Sequence, residues 1–462
     1  MIGRVEEIRE LEKRFGSNRF EFGIVYGPRR IGKSTLLDEF VKRKNGFMFQ
    51  AKEAEFSDNF NSLSRAYRKF TGREDGLVFS SIEDLLDDLV SYSKKRRVVF
   101  VIDEFPYLAK ASKGLLSILQ EYIDRVFKDS DILLILSGSN VSFMHDLLED
   151  KTSALYKRET FRMMLSKMKL SEALLFLDGL GLEDKGNYLS LFSTYPYYLS
   201  MINKSLSFEE NIIDLFFSPF GTLLDAPANV MPTGSFNNKM FNSIVYQISK
   251  RKTAPKEIAE SLQVDSNYLS TYLKQLCEIG VIEKKEMFKS SKKNNYYGIA
   301  DPFLAFYFRF IFDFADLISL GGGRAYYESV RHEIFSYLGF GFELLANQYM
   351  NERNVSGKLG RLYRLVKNYK VENSKLGRSI EIDGLAESVG VGDKCLLVIE
   401  SKYRNKDTSL EVLEHLKESV SVFEGYKTID YYLFSKSGFC DDLRSLGDEH
   451  VHLVSLADML GQ

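Results

Sequence analysis

Phe22-Gly23-Ile24-Val25-Tyr26-Gly27-Pro28-Arg29-Arg30-Ile31-Gly32-Lys33-Ser34-Thr35 is the stretch that decides the fold. Five residues of strand character run into G-x-x-x-x-G-K-[ST], and a helical pattern from Lys33 to Lys42 follows at once. A phosphate cradle needs that order. Its glycines let the backbone wrap a phosphate chain, and its N–H groups converge at a helix N-terminus. Across the cradle, from Gly27 through Pro28, Arg29, Arg30, Ile31 and Gly32 to Thr35, Lys33 is expected on the β/γ-phosphates and Ser34 on Mg²⁺. The strand-to-helix setting argues against a coincidental Gly-rich turn.

Working outward, Val98-Val99-Phe100-Val101-Ile102-Asp103-Glu104 supplies the other half of such a site. Asp103 is expected to contact Mg²⁺ through water and Glu104 to polarise the attacking water. The pair favours hydrolysis, because mere phosphate binding needs no positioned base. A further strand, Ile132–Leu136, ends in Ser137-Gly138-Ser139-Asn140, which could read the γ-phosphate or serve as a plain turn. Arg158 is a candidate charge-stabilising arginine, against the plainer reading of a solvated side chain. Strands separated by amphipathic helices imply a parallel sheet covered on both faces, an α/β nucleotide-binding architecture.

Composition is consistent with this. The 462 residues allow roughly three domains at about 150 residues each. Sixty-two basic against 64 acidic residues leave a formal charge of −2, which excludes a generally basic nucleic-acid coat but not a local basic face. Three scattered cysteines and five histidines speak against a disulfide framework or a His/Cys metal centre. Neither a leader peptide nor a membrane span is legible, and Phe303–Leu320, interrupted by Arg309, Asp313 and Asp316, reads as a buried helix. A cytoplasmic location is expected.

Ile2-Gly3-Arg4-Val5-Glu6-Glu7, the cradle, and Asp103-Glu104-Phe105-Pro106-Tyr107-Leu108 together resemble the archaeal-type ATPases of the AAA+/STAND branch of P-loop NTPases. The resemblance implies ATP rather than GTP, and a helical lid with a Gly-x-Pro segment. Here that segment is Thr194-Tyr195-Pro196, without the glycine.

Further on, Thr253–Leu262, a short turn and Ser266–Ile279 read as two helices, followed by a strand from Gly280. This winged helix-turn-helix pattern presents Asn267, Ser270, Thr271 and Lys274 outward on its second helix, which suits a major groove. Lys284, Lys285, Lys289, Lys292 and Lys293 on the wing are expected to meet phosphates. Packing against protein is the alternative use of such a module. Ile299–Phe310 resembles the segment that leads, in the same family, to a C-terminal domain of unknown function. That region carries Ile380-Glu381-Ile382-Asp383-Gly384 and Leu397-Val398-Ile399-Glu400-Ser401-Lys402, which resemble the PD-(D/E)xK nucleases. Alternation places Glu400 and Lys402 on one strand face beside Asp383, and Glu343 on the preceding helix matches the further acid of such folds. Two carboxylates there can hold a second metal, Mg²⁺ or Mn²⁺. A degenerate module kept for structure is the competing reading.

The expected organisation is α/β: a P-loop ATPase domain over 1–164, a helical lid and linker over 165–235, a winged helix with its following aromatic helix over 236–322, and a nuclease-like domain over 323–462. The expected activity is ATP hydrolysis coupled to a DNA-binding, optionally DNA-cleaving, C-terminal half. The alternative is a STAND-like switch that binds a protein partner or a second copy of itself. A small-molecule kinase is disfavoured, since no phosphoacceptor pocket is legible and a winged helix would be superfluous.

Overall fold

The computed structural model describes residues 2–73, 78–112, 114–225, 238–285, 287–289, 295–373, 377–390 and 392–461. They divide into two compact units, 2–168 and the remainder from 169 onward.

The first unit is built on five strands: β1 (Glu21–Tyr26), β2 (Gly46–Gln50), β3 (Val98–Asp103), β4 (Ile132–Gly138) and β5 (Phe161–Met164). All pair in parallel, in the order β2-β3-β4-β1-β5. The three central strands, β3, β4 and β1, are buried along their whole length, which is why they read as unbroken apolar runs. Their Phe22, Ile24, Phe100, Ile102, Leu134 and Leu136 form a core with Leu63 and Tyr67 of the helix Phe56–Thr71 and with Leu85, Leu86 and Leu89 of the helix Ile82–Ser93. That last helix starts with a capping box, Ser81 Oγ accepting from Asp84 N–H at 3.1 Å. β4 lies between β1 and β3, so the turn after β4 falls between the cradle and the acids that end β3.

The second unit opens with helices, including Leu182–Phe192 and Phe208–Phe216. The winged helix follows: Asn238–Ser249, Pro255–Leu262, Ser266–Glu278, and the antiparallel hairpin of β6 (Ile282–Lys285) and β7 (Tyr296–Ile299). Glu257 accepts the Thr253 and Ala254 amides at 3.2 and 3.1 Å, and Asp265 caps the next helix through Asn267 N–H at 2.7 Å. The expected continuous helix over 303–320 is instead broken. Pro302–Phe306 gives way to a wide turn at Tyr307–Ile311 and further short turns to Gly322, with Gly321 at φ 93°. Its first half is buried, whereas in the second half Ile318 is buried but Phe312, Phe314, Leu317 and Leu320 are exposed beside the charges at 313 and 316.

A 33-residue helix, Gly323–Val355, then leads to a mixed sheet in the order β12-β11-β10-β9-β8. Its strands are β8 (Lys367–Asn373), β9 (Arg378–Glu387), β10 (Cys395–Lys402), β11 (Thr428–Ser435) and β12 (Val451–Ser455). β8 to β10 pair antiparallel and β10 to β12 parallel. Leu413, Leu416 and Val420 of the helix Leu410–Val420 cover Ile382, Leu385, Leu396 and Val398. The long helix approaches the sheet at Gly384, where an added Cβ would lie 2.3 Å from Asn347 Oδ1. Among the described residues, no helix is long and apolar enough to cross a membrane.

Candidate functional site

The cradle is drawn tight by its glycines. A Cβ on Gly27 would lie 2.3 Å from the Leu165 carbonyl oxygen, and Gly32, at φ 87°, turns the chain into the helix Lys33–Lys42. Arg30 also adopts a left-handed backbone, at φ 68°, a conformation of the sort that clusters at ligand clamps. Lys33 is buried and donates to the Gly27 and Pro28 carbonyls at 2.8 and 2.7 Å. Burial pushes its ammonium down to about 8, against the opposing pull of Glu104 and Asp103. Arg4 braces the loop from outside, its guanidinium donating to Ile31 O at 2.7 Å, Ser166 O at 2.8 Å and Glu7 Oε1 at 2.9 Å. Sequence reading quoted Gly3-Arg4 without giving it a role; both residues sit at positive φ, which residue type betrays only for the glycine.

At the end of β3, Asp103 is fully buried and accepts from Ser34 Oγ at 2.6 Å through Oδ2, while its Oδ1 is buried without a partner. A buried carboxylate oxygen left over beside a hydroxyl suits a hard cation or its water shell, so these two residues fit Mg²⁺. Glu104 follows at φ 49°, and that twist directs its carboxylate to Ser139, which donates through Oγ at 2.9 Å and N–H at 3.3 Å. Ser139 is thus the polar group at this turn that meets the acid, whereas Asn140 caps the helix Val141–Glu149 through Phe143 N–H at 3.0 Å. Arg29, Glu104, Pro106, Tyr107, Lys110, Ser139 and Asn140 line one open cleft of about 290 Å³. Arg29 Nη2 lies 3.5 Å from the Tyr107 hydroxyl there.

Arg158 does not join them. It grips Asp124 in a two-pronged pair, Nε to Oδ1 at 2.9 Å and Nη2 to Oδ2 at 2.8 Å. Two residues on, Thr160 N–H bonds Phe22 O at the start of β1. The cradle leaves β1 at the other end, after Tyr26, a strand length of roughly 17 Å away. Arg158 therefore stands at the end of the sheet opposite the phosphate loop of its own chain, and the structure does not bring it to the other candidate residues.

In the second unit the four residues of the nuclease-like set do converge. The β9–β10 register, Ile399 opposite Gly384, brings Asp383 level with Glu400, and Ser401 N–H donates to Asp383 Oδ2 at 2.8 Å. Lys402 Nζ contacts Glu400 Oε1. Burial, then Glu381 and Glu400, lifts Glu343 to about 7. Burial, then Glu343 and Glu400, holds Asp383 well above the usual carboxylate range. Among the described residues no group of three or more His, Cys, Asp or Glu side chains is arranged to hold a metal ion. A cation entering here would have to replace the protons that burial and the neighbouring carboxylates favour on Glu343 and Asp383, and Glu400 would have to leave Lys402 to join it. Sequence reading missed Asn347, whose Nδ2 donates to Asp383 O at 2.7 Å, and Glu381; alternation along β9 was the signal for Glu381.

The second helix of the winged module turns Asn267, Ser270, Thr271 and Lys274 to solvent, as its spacing implied. Tyr268 is exposed beside them, its hydroxyl 2.9 Å from that of Tyr272. The wing departs from expectation. Lys285 Nζ lies 3.1 Å from Glu381 Oε1, and Lys289 pairs with Glu387 at 3.1 Å while standing 4.4 Å over the Tyr426 ring. Between them Phe288 donates its N–H to Lys370 O at 2.9 Å and packs on Tyr369 and Phe423. These two lysines are held by partners about a hundred residues downstream in the chain, so neither is the open phosphate ligand the sequence suggested. Lys292 and Lys293 lie outside the described residues.

Two family models match this chain. Residues 1–201 match a family model for an ATPase domain predominantly from Archaea, and residues 307–414 match one for archaeal and bacterial proteins of unknown function. Uncharacterized protein MJECL04 of Methanocaldococcus jannaschii is 28% identical over 422 residues, covering 87% of this chain and 88% of its own. MJ0424 of the same organism is 34% identical over 98 residues, 92% of that protein and 20% of this one. Among solved structures, the Walker-type ATPase PABY2304 of Pyrococcus abyssi shares the fold at TM-score 0.52 and 19% identity, over 67% of this chain and 96% of that one.

Proposed function

This chain belongs to the family whose ATPase domain is known predominantly from Archaea, and from that premise we propose that it binds ATP at Gly27–Thr35 and hydrolyses it with Glu104 as the water-orienting base. The observation that carries this reading is the Ser34–Asp103 hydrogen bond of 2.6 Å with the second Asp103 oxygen buried and unpartnered. Lys33 exchanges the Gly27 and Pro28 carbonyls for phosphate oxygens. Ser34 and Asp103 would hold Mg²⁺, which when bound would supply positive charge against the phosphates. Glu104, held by Ser139 beside the cradle, takes a proton from the attacking water as its oxygen bonds to the γ-phosphorus. The bridging oxygen leaves on ADP with its electron pair.

For the C-terminal half the reading is nucleic-acid binding through the outward face of Ser266–Glu278, with metal-dependent phosphodiester cleavage at Glu343, Asp383, Glu400 and Lys402. The second reading, a nucleotide-dependent switch acting on protein partners, is favoured by the wing, whose Lys285 and Lys289 are already committed within the chain. Turnover measured with and without DNA, beside a Mn²⁺ cleavage assay on the same preparation, separates them. DNA stimulation supports the first reading; ATPase activity indifferent to DNA, with no cleavage, supports the second. In either case Glu104→Gln should keep ATP bound and lose roughly 10²–10⁴-fold in turnover. A wild-type rate in that variant would remove Glu104 from the hydrolytic role.

A further inference from the structure

Hydrolysis through a loose transition state spreads negative charge over the three equatorial oxygens of the γ-phosphoryl group, and an arginine is the usual answer to that charge. Arg158 stands at the wrong end of the sheet to give it, bound to Asp124. Another arginine is already inside the cleft. We propose that Arg29, carried by the phosphate loop itself, is a catalytic residue that stabilises the γ-phosphoryl group in cis, with Tyr107 as its positioning residue. The inference rests on the hydrolytic reading above and deepens it.

Two observations support it. Arg29 is two residues past Gly27 in the loop that wraps the phosphates, and it lines the same open cleft as Glu104 and Ser139. Its guanidinium therefore shares the space in which the water and the γ-phosphate meet. Finally, the Tyr107 hydroxyl, one turn beyond Glu104 on the helix Phe105–Ala111, lies 3.5 Å from Nη2, so the acid and the arginine are positioned by one element. Lys110 lines the cleft too, but an ammonium on a flexible stem lacks the planar fork that can grip two phosphoryl oxygens.

The chemical balance is that of simple hydrolysis. The water oxygen bonds to the γ-phosphorus, its proton passes to the Glu104 carboxylate, and the bond to the bridging oxygen breaks with its electron pair kept by ADP. Arg29 donates hydrogen bonds to the equatorial oxygens and transfers nothing.

The test uses the full chain with Mg²⁺ and ATP, and measures ATP affinity and single-turnover cleavage separately. Arg29→Ala should lose roughly 10²–10³-fold in cleavage rate, the scale of one transition-state donor, with ATP affinity within about fivefold of wild type. Arg29→Lys should recover little, and Tyr107→Phe should show a smaller loss in rate only. Millimolar guanidinium should restore part of the Arg29→Ala rate and none of the Glu104→Gln rate, a response that a structural role would not give. A wild-type cleavage rate in Arg29→Ala would overturn the proposal, as would a loss that appears equally in affinity. Recovery on mixing Arg29→Ala with Lys33→Ala chains would overturn the cis assignment. A wild-type chain that cleaves no ATP would end the hydrolytic reading together with this one, whereas a normal rate confined to Arg29→Ala would end this one only.

Discussion

Lys33 should make ATP binding take up a proton at alkaline pH. In the nucleotide-free protein its ammonium is pushed from an ordinary 10.5 down to about 8, because burial costs the charge more than Glu104 and Asp103 give back. A bound triphosphate supplies the missing counter-charge and returns the group toward its usual value. Below pH 8 the lysine is charged in both states and affinity is flat. Above pH 8 the free protein has lost the proton and binding must restore it, so affinity falls by about tenfold per pH unit. If the complex regains a value near 10.5, the full fall is 10.5 − 8, or about 2.5 units, which is roughly 300-fold or about 3 kcal/mol. The last phosphate proton leaves near pH 6, outside this window. Calorimetric titration in two buffers of different ionisation heat reads the proton directly: roughly one-tenth of a proton per ATP at pH 7 and roughly nine-tenths at pH 9. Lys33→Arg, always charged, should abolish the uptake. No uptake at pH 9 in wild type, or the same uptake in Lys33→Arg, would refute the reasoning.

Two further outcomes follow from the second unit. Glu343 is lifted to about 7 by burial and by Glu381 and Glu400, so Mn²⁺ must displace its proton at lower pH. Mn²⁺ affinity, followed by electron paramagnetic resonance, should rise with pH up to about 7 and level off above it; a pH-independent affinity would count against a site at Glu343. In the metal-free protein the sign reverses: the folded state holds a proton that the unfolded chain has lost above 4.5, so this group's stabilising contribution is complete below 4.5 and disappears as pH rises through about 7. Gly341→Ala places a Cβ 1.6 Å from the Ser190 carbonyl oxygen, a backbone neighbour that cannot swing aside. Overpacking of this kind costs about 1–3 kcal/mol or more, and thermal unfolding should show a Tm lower by several degrees; an unchanged Tm would mean the helices can part.

What the sequence made legible was local. The cradle, its helix Lys33–Lys42 and the acids ending β3 are each continuous in the chain, and the central strands announce themselves because both faces are covered. The strands that escaped notice, β5, β8 and β12, lie at sheet edges, where one side lacks a partner strand and polar residues are admitted: Lys367-Asn368-Tyr369-Lys370-Val371-Glu372-Asn373 hardly reads as a strand. Whether Arg158 faces its own chain's cradle depends on which way β5 runs beside β1, and no composition carries that. Lys285 and Lys289 of the wing depart from expectation for a related reason. Lys285 is a phosphate ligand or an ion-pair partner according to whether Glu381, nearly a hundred residues away, comes to meet it.

The long helix Gly323–Val355 is about 50 Å from end to end. At its middle, Gly341 lets the backbone of Leu182–Phe192 press against it; six residues on, Asn347 holds Asp383 O, and further along Gln348 meets Thr194 and Glu352 receives the Leu170 amide. Glu343 rides between these fastenings. The helix thus works as an axle shared by the segment 170–194 and the acid cleft, with no slack where it is gripped. Strain applied to that segment is carried by the same helix to Glu343 and, through Asn347, to the backbone of Asp383. The first acid of the cleft is therefore mounted on the helix and the other two on the sheet, with Asn347 tying one carrier to the other.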